Sequence, residues 1–325
     1  MSSTPSAKPG PARYNSSQMQ LIRGLHNLRP AHRPSVVAIG NFDGLHRGHR
    51  AILQQLSDCA GSAKTTLVTF EPTPREYFDA ASAPPRLNRL SETVAMLSEG
   101  QLVDQLLCLR FDAALASTSP DDFVRRVVVD GLGCRTVIVG EDFRYGAERA
   151  GDVRSLKQAG ERGGFDVDVA RTVVDDGERV SSTRVRESLA AGELRQANRL
   201  LGQRYRVTGR VQAGQQAGRT IGFPTANLRL RRKAALRHGV YAVRVTTGNA
   251  VAVPGVANYG TRPTVSGQGA LLEVHCLEGV HDLYGDRLWV EFVDFIRPER
   301  RFDGLPALKQ QIERDVADAW QRLEN

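Results

Sequence analysis

Apolar residues fall along this chain in two textures. Between residues 36 and 174, short, mostly apolar and β-branched runs at 36–39, 65–70, 105–109, 136–139 and 165–169 alternate with amphipathic stretches at 49–57, 91–98 and 120–129. Strands that are apolar throughout and separated by helices predict a parallel sheet covered on both faces. Ser119-Pro120-Asp121-Asp122 supplies a helix start, with a Ser cap, Pro at the first position and acids in the first turn. A helical stretch over 187–201 follows, closed by Gly202 as its C-cap. Beyond it the texture changes to strand-like runs at 205–211, 240–246, 250–256, 271–276 and 287–295, punctuated by glycine. That pattern predicts a compact antiparallel barrel or sandwich. Leu308, Ile312, Val316, Ala319 and Leu323 then share one face of a terminal helix over 305–323. The fold class is therefore α/β plus β, with residues 18–202 as one domain and 203–325 as the second. Residues 1–17, rich in Ser, Pro and Ala and without an apolar core, read as a disordered tail rather than a signal peptide.

A length of 325 residues lets each of two domains bury its own core. Hydrophobic content of 41% and charged content of 25% are those of an ordinary globular protein. No apolar run approaches the roughly 20 residues of a membrane span, so no membrane partner is expected. The four cysteines, Cys59, Cys108, Cys134 and Cys276, are scattered without a CxxC pair. They read as reduced, buried thiols of a cytoplasmic protein. A net charge of +8 fits either nucleic acid or phosphorylated small molecules as partners. The arginines are spread along the chain and only RLRRK at 229–233 forms a tight cluster, so nucleic acid is the disfavoured partner. Oligomeric state is not legible in the sequence.

Two segments carry candidate chemistry. GNFDGLHRGH at 40–49 follows the apolar run 36–39. A strand, a glycine-bearing turn and a helix start favour an anion through backbone N–H groups and the helix dipole. His46 and His49, three apart at that start, can face one pocket, and Gly48 between them leaves room for a nucleotide. Two histidines near a turn also arise by chance, so the surrounding strand and glycines matter to the reading. The second segment, residues 214–227, contains Gly214, Gly218 and Gly222 and ends in Pro224-Thr225-Ala226-Asn227. Glycine there permits close approach of backbone N–H groups to phosphates. Thr225 and Asn227 offer two neutral oxygens suited to Mg²⁺ held jointly with nucleotide phosphates. No GK[ST] follows, so this is not a Walker A loop, and on these residues alone a simple glycine-rich hairpin is the better reading.

The first motif resembles that of the nucleotidyltransferases, and more sharply the N-terminal module of the bacterial bifunctional riboflavin kinase/FAD synthetase family. TFEPTPRE at 69–76 is similar to that family's flavin-side TFEPHPRE, VGEDFRYG at 139–146 to its VGxDFRFG loop, and RVSSTRVR at 179–186 to its VSST-x-[IV]-R segment. GRTIGFPTANL at 218–228 resembles the kinase signature GRxxGFPTANL. GVYA at 239–242, ANYGTRPT at 257–264, LEVH at 272–275, DLYG at 282–285 and FIRPERRF at 295–302 follow in family order. The resemblance covers residues 20–323 and implies a Rossmann-like nucleotidyltransferase domain, then a riboflavin-kinase-type β-barrel with a terminal helix.

In the first module it implies an ATP site of Gly40, Asn41, Phe42, Asp43, His46, Gly48, His49, Asp142, Arg179, Ser181, Ser182, Thr183 and Arg186, and flavin contacts at Phe70, Pro72 and Pro74. His46 and His49 would act on the α-phosphate. In the second module it implies ATP contacts at Gly214, Gly218, Gly222, Pro224, Thr225 and Asn227, Mg²⁺ at Thr225 and Asn227, and flavin near Arg297. Glu273 would be the general base, and His275 is read as structural. The implied substrates are riboflavin, FMN, FAD and ATP. Thr73 departs from the family's usual His, which implies a local change in flavin-side contacts. Two rival readings stand beside this one: a single live module with the other a flavin sensor, and an RNA-binding or aminoacylating protein. The latter expects a lysine-bearing loop where this chain has VSSTR at 180–184.

Overall fold

Alternation within single strands shows why the first half folds as a sheet between two helical layers. In β2 (Ser35–Ile39), Val36 and Ala38 join one apolar cluster while Val37 and Ile39 join the other. A computed structural model describes residues 19–212, 222–230, 232, 234–247, 252–264, 267–278 and 283–324, with side chains described outside 261–270. The expected tail at 1–17 and the kinase-loop residues Gly214 and Gly218 lie outside the described residues.

The sheet contains β1 (Gln20–Arg23), β2, β3 (Lys64–Glu71), β4 (Gln105–Arg110), β5 (Cys134–Val139) and β6 (Asp166–Val169) in the order β1-β4-β3-β2-β5-β6. Every pairing is parallel. Helices α1 (Arg47–Ala60), α2 (Pro74–Phe78), α3 (Leu90–Glu99), α4 (Ala113–Ala116), α5 (Pro120–Phe123) and α6 (Val153–Gly163) connect the strands. Ser119 caps α5 through its hydroxyl, which accepts from Asp122 N–H at 3.1 Å, and the helix runs on as a π-helical turn over Val124–Val129. The chain winds outward from β2 in both directions, so the crevice between β2 and β5 is the topological switch point where such sheets bind ligands.

A short hairpin, β7 (Val174–Asp175) and β8 (Glu178–Arg179), precedes two helices, α7 (Ser182–Ala191) and α8 (Leu194–Leu201). The single helix expected over 187–201 is thus broken: Gly192 takes a left-handed φ of 83° and ends α7. Gly202 ends α8 in the same way, as expected. Six antiparallel strands then close a barrel: β9 (Arg206–Gln212), β10 (Ala226–Arg229), β11 (Gly239–Thr247), β12 (Val253–Thr264), β13 (Gly267–Cys276) and β14 (Arg287–Arg297), in the order β10-β13-β12-β11-β14-β9. Barrel, not sandwich, is the outcome. Its interior, with Tyr241, Tyr259 and Phe292, forms one apolar cluster with Leu189, Leu194, Leu200 and Leu201 of α7 and α8 and with Leu87 of the first half.

Helix α9 (Leu305–Glu324) covers the barrel's outer face at Val240, Ala242 and Val256. Its buried stripe is Gln311, Asp315, Ala319 and Leu323, so at its N-terminal half the buried positions are polar rather than the expected Leu308 and Ile312. The reason is charge: Arg297 donates to both oxygens of Asp315, and Arg300 reaches Gln311. Among the thiols, Cys108 and Cys134 are buried but Cys59 is exposed and Cys276 only half-buried, which corrects the expectation of four buried cysteines.

Candidate active sites

The loop after β2 is tightly wound and held from several sides. Phe42, Gly44 and Leu45 all take left-handed φ values, of 48°, 92° and 44°. For residues other than glycine such backbone costs about 1–3 kcal/mol each and persists only where the surroundings over-determine it. Phe42 and Leu45 are buried. The Asp43 carboxylate accepts from the N–H groups of Leu87 and Asn88, each at 2.9 Å, and pairs with Arg186. Its carbonyl accepts from the Ser182 hydroxyl at 2.8 Å, while Ser181 caps α7 by accepting from Arg184 N–H at 3.3 Å. Asp43, Ser181, Ser182 and Arg186, expected at the ATP site, are therefore already engaged in shaping the loop and the helix beside it. Thr183 sits in the first turn of α7.

His46 caps α1: its Nδ1 accepts from His49 N–H at 3.3 Å, which leaves Nε2 to carry the ring proton. The two imidazoles stack with centroids 3.6 Å apart, and Phe42 meets His49 edge-on at 5.4 Å. His49 Nδ1 is buried and has no hydrogen-bond partner. Burial, then the positive charge of Arg179 and Arg186, pushes His46 down to about 4. Burial, then repulsion from His46 and Arg179, holds His49 well below the ordinary imidazole range. Both rings are therefore neutral donors at neutral pH. A Cβ on Gly48 would lie 3.1 Å from the His46 ring and 3.4 Å from the Val180 carbonyl, so glycine here makes room for that ring and for the segment after β8. Across the switch point, Asp142 lies in the loop after β5 and pairs with Arg179 at 3.4 Å, both exposed. Gly40 and Asn41 lead from β2 into the crevice, with Gly40 N–H donating to Val68 O at 3.0 Å.

The flavin-side segment ends β3. Phe70 is half-buried and meets Phe111 edge-on at 5.9 Å, and Pro72 follows a cis Glu71–Pro72 peptide. Pro74 is the first residue of α2, and Thr73 caps that helix in a capping box with Glu76. Thr at position 73 is thus a helix cap. Tyr77 and Phe78 stack edge-on with Phe111 and are exposed, Phe78 at 70%. These three aromatics were not among the expected site residues. Their signal in the sequence was weak, because Phe111 comes from the end of β4, far along the chain.

In the barrel, register brings the second set together. Asn227 of β10 lies opposite Glu273 of β13, which lies opposite Asn258 of β12. Their neighbours Leu228, Leu272 and Tyr259 point into the core, so the three polar residues face outward in one row. Asn258 Nδ2 donates to Glu299 Oε1 at 3.3 Å, and its buried Oδ1 has no partner. Asn258 and Glu299 were absent from the expected site, although both stand in family-like runs. Thr225 and Asn227 are two residues apart at the entry to β10, after Gly222, whose φ is 90°, and Pro224. His275, read as structural in the sequence, bonds through Nδ1 to the Pro224 carbonyl at 2.8 Å. Arg297, expected near flavin, is committed through Nε and Nη2 to Asp315. Among the described residues no cluster of three His, Cys, Asp or Glu could hold a metal ion. No helix of the described residues is long and apolar enough to cross a membrane.

The histidine pair at the switch point of a parallel sheet and the outward row of amide and carboxylate groups on a closed barrel are the two candidate sites, one in each half of the chain. Comparison with known families agrees with both halves. The FAD synthetase family model matches residues 28–184, and the riboflavin kinase model matches 201–323. The chain is 50% identical over 304 residues to the bifunctional riboflavin kinase/FMN adenylyltransferase of Pseudomonas fluorescens, covering 93% of this chain and 97% of the relative. It is 46% identical over 304 residues to the like-named protein of Escherichia coli K12, with the same coverage. A crystal structure described as a macrolide-efflux protein from Streptococcus pneumoniae superposes with a TM-score of 0.78 at 26% identity, covering 92% of this chain and 98% of that one. The chain belongs to the bifunctional riboflavin kinase/FMN adenylyltransferase family.

Proposed function

We propose that the barrel phosphorylates riboflavin to FMN with ATP, and that the α/β domain adenylylates FMN with a second ATP to give FAD and pyrophosphate. The observation that carries this is the neutral, stacked His46–His49 pair at the start of α1, with an unpartnered ring nitrogen beside the switch point. An FMN phosphate oxygen attacks the α-phosphorus of ATP, and the bond to the bridging oxygen of pyrophosphate breaks. His46, with its ring proton on Nε2, donates to an α-phosphate oxygen as charge builds there, and His49 supports it from the stacked position. Arg179 moves from Asp142 to the leaving pyrophosphate, while Asp43 and Arg186 keep the loop in shape. The exposed Tyr77 and Phe78, packed on the half-buried Phe111, together with Phe70, Pro72 and Pro74, offer the flavin ring an aromatic wall.

In the barrel, Glu273 accepts the proton of the ribityl 5′-hydroxyl as its oxygen attacks the γ-phosphorus and ADP leaves. Thr225 and Asn227 present only oxygen donors, which suits a hard dication such as Mg²⁺ bound with ATP phosphates. When bound, it would neutralise phosphate charge. Arg297 acts from its ion pair with Asp315 by fixing α9 beside the flavin product. Arg232 of the basic cluster is committed within the protein, which supports small molecules rather than nucleic acid as partners. Substrates of this kind and the free thiols fit a cytoplasmic location. The test is a chromatographic time course with riboflavin, ATP and Mg²⁺. FMN should appear first and FAD after it; no flavin product would sink the proposal.

A further inference from the structure

The basic cluster at 229–233 has no part in either reaction as proposed, yet Arg232 is buried between the two halves of the molecule, with 11% of its side chain exposed. Arg231 and Lys233 lie outside the described residues. The Arg232 guanidinium donates from Nη1 to the Arg86 carbonyl and from Nη2 to the Leu87 carbonyl, each at 2.8 Å. Nη2 also reaches Glu92 Oε2 at 3.2 Å, and the buried Tyr205 hydroxyl donates to the Leu87 carbonyl at 3.2 Å. Glu92, 1% exposed, accepts in turn from the barrel's Thr208 N–H at 3.0 Å and from Arg89 N–H at 2.7 Å. A charge pair this deeply buried is secure only when its remaining hydrogen bonds are satisfied, and here they are.

What Arg232 grips is a strap, residues 85–88, that touches both sides of the first site. Leu87 and Asn88 N–H groups hold the Asp43 carboxylate at 2.9 Å. The Pro85 carbonyl accepts from Arg186 Nε at 2.7 Å. The Arg86 side chain forks onto Glu71 at 2.7 Å and also pairs with Glu76, beside the flavin-side segment. The loop at 42–45 needs such a hold because its left-handed residues would otherwise relax.

We infer that Arg232 is a positioning residue for FMN adenylylation, so that the kinase barrel sets the geometry of the adenylyltransferase site through residues 85–88. The inference rests on the adenylyltransferase reading of the His46–His49 site. A planar fork serves both carbonyls and the carboxylate at once, which a lysine ammonium does not.

The test uses the full chain as Arg232→Met, Arg232→Lys and the double variant Arg232→Met/Glu92→Gln. The double variant is needed because removing the guanidinium alone strands a buried carboxylate and can unfold the protein. FMN adenylylation, riboflavin phosphorylation and thermal midpoint are measured on the same preparations. In the folded double variant, kcat for FAD formation from supplied FMN should fall by about tenfold to 100-fold, the scale of a small misplacement of reacting groups. Phosphorylation should be unchanged, and Arg232→Lys should fall between parent and Met. Parental FAD formation in the folded double variant overturns the inference, as does a proportional loss of both activities. A parent enzyme that makes no FAD from FMN and ATP sinks the underlying reading and the inference with it.

Discussion

The two sites are assembled in opposite ways. The first gathers residues from the loop after β2, the loop after β5, the β7–β8 hairpin and α7, so positions from 40 to 186 must all be in place. The second takes its central row from three neighbouring strands, where hydrogen-bond register alone sets Asn227, Glu273 and Asn258 side by side. Charge is also handled differently. Burial first, and nearby positive charge second, holds both imidazoles neutral at neutral pH. The barrel instead carries the Glu273 carboxylate on its outward face, where the proposed function has it accept the hydroxyl proton. A site built from distant loops depends on everything that holds those loops; a site built on a ladder depends mainly on the ladder.

The comparison breaks if the two sites cannot be disabled separately. Glu273→Gln should lower riboflavin phosphorylation by about 100-fold or more, the scale of a lost general base, while FAD formation from supplied FMN persists. The converse pair, His46→Asn and His49→Asn, should lower FAD formation by about 100-fold, the scale of a lost transition-state donor, and leave FMN formation intact. Chromatographic assay of both products in each variant decides, and any variant that loses both activities contradicts their independence.

Titration sharpens the contrast in charge. Because His46 is pushed down to about 4 in the folded protein, the unfolded chain binds the extra proton between that value and about 6.5. The stability this histidine lends is therefore fully present above about 6.5 and is lost as pH falls toward about 4. Urea unfolding at pH 7 and pH 5 should show the parent losing more stability on acidification than His46→Asn. Equal losses would mean that the ring is not held neutral.

The smallest effect belongs to the flavin side. Thr73→Ala removes a helix cap and should cost about 1 kcal/mol, seen as a small drop in thermal midpoint with a modest rise in KM for FMN. A midpoint unchanged by the substitution would show that the capping box contributes nothing to this segment.

Much of the fold was legible because it follows from periodicity. Uninterrupted apolar runs such as 36–39 gave away a sheet covered on both sides, and Ser119 and Gly202 marked helix ends. Where expectation and structure parted, long-range contacts were responsible. A helix expected over 187–201 breaks at Gly192, and α9 buries Gln311 and Asp315 because Arg300 and Arg297 wait on the barrel to receive them. Tyr77, Phe78 and Phe111 became a patch only when the ends of β3 and β4 came together in the sheet.

By itself the sequence determined the two modules, their order and the motifs that mark each site, since these depend on local spacing and on which side chains stand near a turn. Only the tertiary structure decided which of those residues are free to meet a ligand. Asp43, Arg186 and Arg297 read as binding groups along the chain, yet each is satisfied by a partner at least 18 positions away. Arg232 read as part of a tight basic cluster, yet it is buried against Glu92, 140 positions away. The physical reason is that a charged group's role is set by what neutralises it once folded, and that partner is chosen by packing rather than by neighbours in sequence.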